Sequence, residues 1–336
     1  MSRIPIFEKK NVLITGGAGF IGSYLCEALL KEAKIICVDD LSGGRLQNIE
    51  HLLQHPDFEF IKHDISEPIQ FDRLPELARF KIQFQGIQEI YHLACPTAPK
   101  EFEQSKIKIL RTSAQGTLHM LDLATKWHAK VLLASSSVIY GPRIAGQQYV
   151  SEDHEGSFDH LSSRASYDEG KRFAETAVST YRDVYGIEIR IGRIFRTYGP
   201  RVRLSIGEMI PDFIVSALEG KPLTIYGDEN FLTSLCYVSD IVDGLQKLMH
   251  ADRDPGPVNL GSDQEYDIDE VAGKIITLTN SKSKIVFEPP LLFMRPQPTP
   301  SISRARQELG WFPVMRLEDG LKKMMEYASA QTHRLG

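Results

Sequence analysis

The chain has 336 residues, enough for a large core and, at about 150 residues per domain, for two domains. A composition of 42% hydrophobic and 25% charged residues is that of a soluble globular protein, and a net charge of −5 without a basic run argues against nucleic acid and for a small-molecule partner. Cys26, Cys37, Cys95 and Cys236 show no C-x-x-C spacing, which argues against a metal site or disulfide framework and for a reducing cytoplasm. Residues 1–10 hold no apolar signal core, and no stretch approaches the roughly 20 apolar residues of a membrane span.

Short apolar strands alternate with helical patterns through the first half. Strands are expected at 11–15, 34–39, 58–62, 89–94, 130–136 and 187–191, with helices at 21–31 and at 165–185, the latter closed by Gly186. That alternation predicts an α/β fold with a doubly wound parallel sheet. Beyond Gly192 the pattern turns irregular and is punctuated by Gly199-Pro200, Gly220-Lys221-Pro222 and the segment 289–300. A smaller mixed C-terminal unit that closes over a substrate is expected there. The boundaries expected are 1–191 for the first unit, with a return at 235–252, and 192–234 with 253–330 for the second.

Val12-Leu13-Ile14-Thr15 runs directly into Gly16-Gly17-Ala18-Gly19-Phe20-Ile21-Gly22, so Gly16, Gly19 and Gly22 fall at a strand-to-helix turn. Glycines there let the backbone approach a pyrophosphate, and the amides of Phe20 and Ile21 open a helix whose N-terminus attracts anions. Asp39 ends the second strand, about 20 residues on, where a carboxylate accepts from the ribose hydroxyls of a dinucleotide. A 2′-phosphate would be repelled by Asp39 and Asp40, so NAD is expected rather than NADP, with Arg45 the residue that could moderate that repulsion.

Tyr167 and Lys171 are spaced i, i+4, one turn apart on one face of the helix at 165–185. For Tyr167 to act as a base near neutrality, its pKa of about 10 must fall by about 3, roughly 4 kcal/mol, and an adjacent ammonium and a cationic nicotinamide ring favour the phenolate. Ser136, at the end of the strand at 130–136, completes a catalytic set by hydrogen-bonding the reacting hydroxyl. His92, inside an apolar run, is expected to be a satisfied core residue, and Cys95 a small core hydrophobe.

With these segments the chain resembles the extended short-chain dehydrogenase/reductases acting on nucleotide sugars, and within them the UDP-glucuronate decarboxylase group. The resemblance rests on 38–45, 91–96, Ser166-Tyr167-Asp168-Glu169-Gly170-Lys171-Arg172, 193–201 and Tyr237-Val238-Ser239-Asp240, and runs from about residue 10 to about 327. It implies a Rossmann unit holding NAD, with Leu93 and Ala94 lining the cofactor and Asp64 and Ile65 near the adenine. It also implies a C-terminal unit for a nucleotide sugar or related phosphorylated sugar, and a homodimer through paired helices. Ser137, Arg164, Arg196, Arg201 and Thr233 fall at its substrate positions.

The chain departs from this family at several positions. Val138 stands where the decarboxylases and dehydratases carry a glutamate, and Ser137 where the dehydratases carry an aspartate, so 4,6-dehydration lacks its acid. Arg196 replaces an asparagine, Thr233 (in Phe231-Leu232-Thr233) replaces an arginine that meets the diphosphate, and Pro298 occupies another usual arginine position. Either Arg196, Arg201 and Arg203 rebuild that anion site or the substrate has another head group. Three readings stay open: decarboxylation of a nucleotide uronate through a 4-keto intermediate, 4-epimerisation without decarboxylation, and a catalytically idle NAD-binding sensor or scaffold, against which the intact Ser136, Tyr167 and Lys171 argue.

Overall fold

Strands rich in branched apolar residues, covered on both faces, build the centre of the molecule. The computed structural model describes residues 9–144, 146–227, 232–289 and 296–332. Phe231, residues 1–8 of the segment at 1–10 and residues 290–295 of the segment at 289–300 lie outside those residues. Seven strands, β1 (Lys10–Thr15), β2 (Ala33–Asp39), β3 (Phe58–Lys62), β4 (Glu89–His92), β5 (Lys130–Ser136), β6 (Ile189–Ile194) and β7 (Pro257–Leu260), form one parallel sheet. Its spatial order is β7-β6-β5-β4-β1-β2-β3, a doubly wound arrangement whose direction of progression reverses between β1 and β4.

The two-residue period of a strand divides its side chains between two cores. Val12 and Ile14 of β1, with Ile35 and Cys37 of β2, face one cluster, whereas Leu13, Ile36 and Val38 face the other. The first cluster is closed by Leu25, Cys26 and Leu29 of α1 (Phe20–Leu29), and the second by Met120, Leu121 and Ala124 with Ala174 and Val178. Each buried Leu, Ile or Val contributes about 1.5 to 3 kcal/mol relative to exposure, so this double-sided cover holds an all-parallel sheet together.

The helices of the second cluster were only partly legible. Helices α2 (Phe102–Arg111) and α3 (Thr117–Trp127) run through a π-helical turn at Thr112–Gly116, none of it anticipated, whereas α4 (Ala165–Tyr185) was. Gly170 in the interior of α4 costs about 1 kcal/mol in helix propensity. Its reason is contact, because a Cβ there would lie 2.8 Å from Ser113 Oγ. Gly170 lets α4 press onto the π-helical turn, which brings Tyr167 and Lys171 to the carboxyl ends of β4 and β5.

Past β6 the chain forms α5 (Met209–Leu218), α6 (Val238–Met249), α7 (Ile268–Leu278) and α8 (Leu317–Thr332) with two-stranded pairs. Leu223–Tyr226 pairs in parallel with Ile285–Glu288, and Leu232–Ser234 antiparallel with Glu265–Asp267. α6 packs back on α1 and on β5, β6 and β7. β7 departs from the expected boundaries. Residues 257–260 were assigned to the substrate unit, but Val258 and Leu260 are fully buried and extend the sheet beside β6. That pairing also carries β6 on to Ile194, beyond its expected end.

Candidate active site

The carboxyl ends of β1 to β6 open onto one cavity of about 380 Å³, the crevice where a doubly wound sheet binds its ligand. Its wall includes Gly16, Gly19, Phe20, Ile21, Gly22, Asp39, Asp40, Asp64, Ile65, Leu93 and Ala94 at one end. Ser136, Ser137, Arg164, Tyr167, Lys171, Arg196 and Arg201 line the remainder. Of the residues named from sequence, Thr233 is not on the wall.

The glycine loop fits a dinucleotide by contact. Gly16 has φ +70° and its N–H donates to Val38 O at 2.8 Å. A Cβ on Gly22 would lie 2.1 Å from Gly16 O, so a side chain there would displace the turn. The first amides of α1 have no partner within the helix and edge the cavity, as a pyrophosphate seat requires. Asp39 is held in place by two amides, Leu41 N–H at 2.8 Å and Ala18 N–H at 3.1 Å. Burial raises its pKa, and those amide bonds oppose the rise.

At Asp40 the expected role of Arg45 is corrected. The Arg45 guanidinium turns away, donating to Tyr327 Oη at 2.6 Å and Val202 O at 3.3 Å. Lys108 of α2 instead pairs with Asp40 and lies 3.8 Å from Asp64. Burial works against ionisation of Asp40, but the bonds from Lys108 and Ser42 together outweigh it and hold the carboxyl below its usual range. No local pattern marks Lys108, because only the packing of α2 against α4 brings it there.

Ser136, Tyr167 and Lys171, the expected catalytic set, converge at the sheet end. Tyr167 lies in the first turn of α4 and is hydrogen-bonded to Ser136, whose Oγ also accepts from Val138 N–H at 3.4 Å. Lys171 Nζ donates to Ala134 O at 2.7 Å and lies 6.0 Å from the centre of the Tyr167 ring. The expected depression of the phenol is not a property of the protein alone. Burial and the neighbouring Cys95 raise the Tyr167 pKa, and the Ser136 bond and Arg164 only partly oppose them. Spacing places the ammonium on the right face but does not reveal that it is spent on a backbone carbonyl.

His92 bridges Thr15 Oγ1 at 2.8 Å and Thr117 Oγ1 at 3.1 Å, and burial, followed by Lys171, pushes its pKa down to about 3. It is a neutral core residue. The Cys95 thiol is raised by burial and touches Ser113 Oγ at 3.7 Å.

On the substrate side, Val138 is buried at the position of the family glutamate, and Ser137 Oγ donates to Gln297 Oε1 at 3.4 Å, a wall residue that sequence reasoning missed. Arg164 packs 5.8 Å from the ring centres of both Phe102 and Tyr167 and 3.4 Å from Asp168. Thr233 is buried behind Arg196, accepting from its Nη1 at 2.9 Å, so its expected contact with substrate is corrected to support of the guanidinium. Arg201 pairs with Glu27 and stacks 4.2 Å from the Tyr24 ring centre, and Arg203 chelates Glu101 at 2.9 and 2.5 Å. Glu208, also unanticipated, lines the cavity and acts on Arg196.

Residues 13–324 match the family described as GDP-mannose 4,6 dehydratase. The chain is 40% identical over 326 residues to UDP-glucuronic acid decarboxylase 1 of Danio rerio, covering 96% of this chain and 74% of that protein. It is 39% identical over 318 residues to UDP-glucuronic acid decarboxylase 5 of Arabidopsis thaliana, with 94% and 88% covered. The structure superposes on UDP-glucuronic acid 4-epimerase from Bacillus cereus, solved with UDP-glucuronic acid and NAD. The TM-score is 0.84 at 26% identity, with 96% of this chain and 99% of the other covered.

Proposed function

Because the chain belongs to the GDP-mannose 4,6 dehydratase family, whose members are NAD-dependent, we propose that it oxidises C4 of UDP-glucuronate and releases carbon dioxide, yielding UDP-xylose. The observation that carries this reading is the convergence of Ser136, Tyr167 and Lys171 on a cavity whose glycine loop accepts a dinucleotide. Residues 1–191 with 235–252 serve as the NAD unit, and 192–234 with 253–330 as the substrate unit, apart from β7.

Gly16, Gly19 and the amides of α1 would hold the pyrophosphate of NAD, Asp39 its adenosine ribose, and Asp64, Ile65, Leu93 and Ala94 its flanks. When bound, NAD supplies a hydride acceptor and, while oxidised, a positive charge. Tyr167 takes the proton of the C4 hydroxyl, and Ser136 shares the hydrogen bond that orients it. Lys171, braced on Ala134 O, stabilises the phenolate and meets the nicotinamide ribose. A ketone at C4 is β to the C5 carboxylate, so carbon dioxide leaves as the electron pair delocalises onto the C4 oxygen. Water then protonates C5, and Tyr167 returns its own proton to the C4 oxygen as C4 is reduced. This route needs no acid at position 138.

Val138 favours a second reading, 4-epimerisation, which needs only the hydroxyl, phenol and lysine. Incubation with UDP-glucuronate and NAD should give carbon dioxide and UDP-xylose in equal amounts. UDP-galacturonate without carbon dioxide would replace the first reading with the second. Arg196→Asn should weaken nucleotide-sugar binding by about 1.5 to 3 kcal/mol, the worth of a hydrogen bond to a charged group. Calorimetric affinities unchanged by this substitution would remove Arg196 from the anion site.

The protein acts as a homodimer in the cytoplasm, where its four free thiols stay reduced. α2 and α4 pack against each other and expose Ile107, Leu110 and Phe173, an apolar strip suited to a second copy of the pair. Sedimentation should give twice the chain mass, and Phe173→Glu should shift it to the monomer. A wild-type monomer at micromolar concentration would end this assignment. Among the described residues, no helix is long and apolar enough to cross a membrane.

A further inference from the structure

The end of the cavity assigned above to adenosine is lined by three carboxylates, Asp39, Asp40 and Asp64, and by the ammonium of Lys108. Asp39 turns to the glycine loop, where the amides of Leu41 and Ala18 hold it. A Cβ on Gly44 would lie 2.7 Å from Asp39 Oδ2, so only glycine lets the chain pass this close to that carboxylate. Asp40, the next residue, points instead to α2 and pairs there with Lys108.

Two short turns brace this lysine. Asp40 Oδ1 accepts from Ser42 N–H at 2.8 Å, and Asp64 Oδ1 accepts from Ser66 N–H at 2.9 Å and from Ser66 Oγ at 2.8 Å. Each carboxylate is thus fixed by the serine two residues on, and each turns its Oδ2 to Lys108, which pairs with Asp40 and lies 3.8 Å from Asp64. Side-chain exposures of 21% for Asp40 and 35% for Lys108 leave the pair only partly screened by water. The neighbouring basic side chains are turned elsewhere. Arg45 donates to Tyr327 Oη and Val202 O, and His63 Nε2 faces Glu67 O at 3.0 Å.

We infer that Asp40 determines which dinucleotide the site takes, by holding Lys108 away from the position of an adenosine 2′-phosphate. The inference rests on the reading of this end as the adenosine seat and goes beyond it, because simple repulsion by Asp39 and Asp40 would leave Lys108 without a part. A phosphate monoester carries a charge of about −1.5 to −2 at neutral pH and is held by charge-assisted bonds to cations. Lys108 is the cation nearest to Asp39, the ribose residue, and its flexible four-carbon stem could turn to a phosphate on that ribose. Asp40 keeps it from doing so. Asparagine at this position would retain an acceptor for Ser42 N–H while releasing the ammonium, with only the more distant Asp64 left to counter it. One carboxylate therefore acts twice against NADP, by its own charge and by occupying the lysine that could offset it.

The test is displacement of NADH, read by its fluorescence, from protein loaded with it, using NAD and NADP as competitors. The ratio of their dissociation constants isolates the 2′-phosphate, because every contact the two dinucleotides share cancels. Asp40→Asn should move this ratio toward NADP by about tenfold or more, the effect of one new bond to a charged group. Adding Lys108→Met to that variant should remove most of the gain, whereas Lys108→Met alone should leave the wild-type ratio within about threefold. A gain that survives the second substitution would mean that Asp40 acts by repulsion alone, and it overturns the inference, as does a ratio unmoved by Asp40→Asn. If Asp40→Asn does not fold, Lys108→Met alone decides. An unchanged ratio supports the inference, and NADP weakened relative to NAD by more than about threefold would show the lysine already serving the phosphate and overturn it. Wild-type protein that binds no NADH would remove the dinucleotide seat and this inference with it. NADH binding with a ratio unresponsive to Asp40→Asn would leave the seat standing and sink the inference alone.

Discussion

Tyr167→Phe should reduce turnover by about a hundred- to ten-thousandfold, the usual worth of a positioned acid–base group, while the protein still carries NAD. The ring is retained, so packing against Arg164, whose guanidinium lies 5.8 Å from its centre, changes little. What is lost is the hydroxyl hydrogen-bonded to Ser136 and the proton that must move to and from C4. The seat at Gly16 to Gly22 and Asp39 is untouched, so cofactor content measured after denaturation should match wild type. Burial raises the Tyr167 pKa, and Lys171 is engaged with Ala134 O. Lys171 stabilises the phenolate without offsetting burial, so its formation depends further on positive charge brought into the cavity. The alkaline shift of tyrosine absorbance belonging to Tyr167 should move to lower pH when oxidised NAD is added and should be absent from the variant. Turnover within a factor of about three of wild type would remove Tyr167 as the base.

What could be read beforehand and what could not separates by the range of the interactions. The strand, glycine turn and helix at 10–29 are written in contiguous residues, as are Tyr167 and Lys171 on one face of α4, and periodicity reports such features directly. Lys108 at Asp40 and Gln297 at Ser137 depend on elements far apart in the chain, and no single segment carries a mark of them. Arg45 and Thr233 were misplaced for the same reason. Their positions along the chain matched a role, but Arg45 found Tyr327 and Thr233 was covered by Arg196. The direction of the Tyr167 shift was missed because burial, its largest cause, is a property of the assembled site rather than of spacing.

One long-range network bears directly on how the catalytic residues are held, and breaking it should cost the most stability. Glu175 lies two turns beyond Tyr167 on α4, and its carboxylate accepts from Ser135 Oγ at 2.5 Å and from Arg193 Nε at 3.1 Å and Nη2 at 2.8 Å. Arg193 in turn donates through Nη1 to Tyr140 Oη at 2.9 Å and Glu152 O at 2.8 Å, and Tyr140 donates to Asn259 Oδ1 at 2.6 Å. Side-chain exposures of 10% for Arg193 and 13% for Glu175 leave little water to replace a lost partner. Burial works against the Arg193 charge, yet Glu175 and Tyr140 hold its pKa above the ordinary value. Glu175→Ala should therefore leave a buried guanidinium uncompensated, at about 3 to 5 kcal/mol in urea unfolding. Glu175→Gln keeps an acceptor oxygen and should lose less. Because Ser135 adjoins Ser136, the alanine variant should also lower turnover in the fraction that remains folded, by freeing the end of β5 from α4. A loss below about 1 kcal/mol would show that Tyr140 and the Glu152 carbonyl suffice for Arg193, and that α4 is held to the sheet by its apolar face alone.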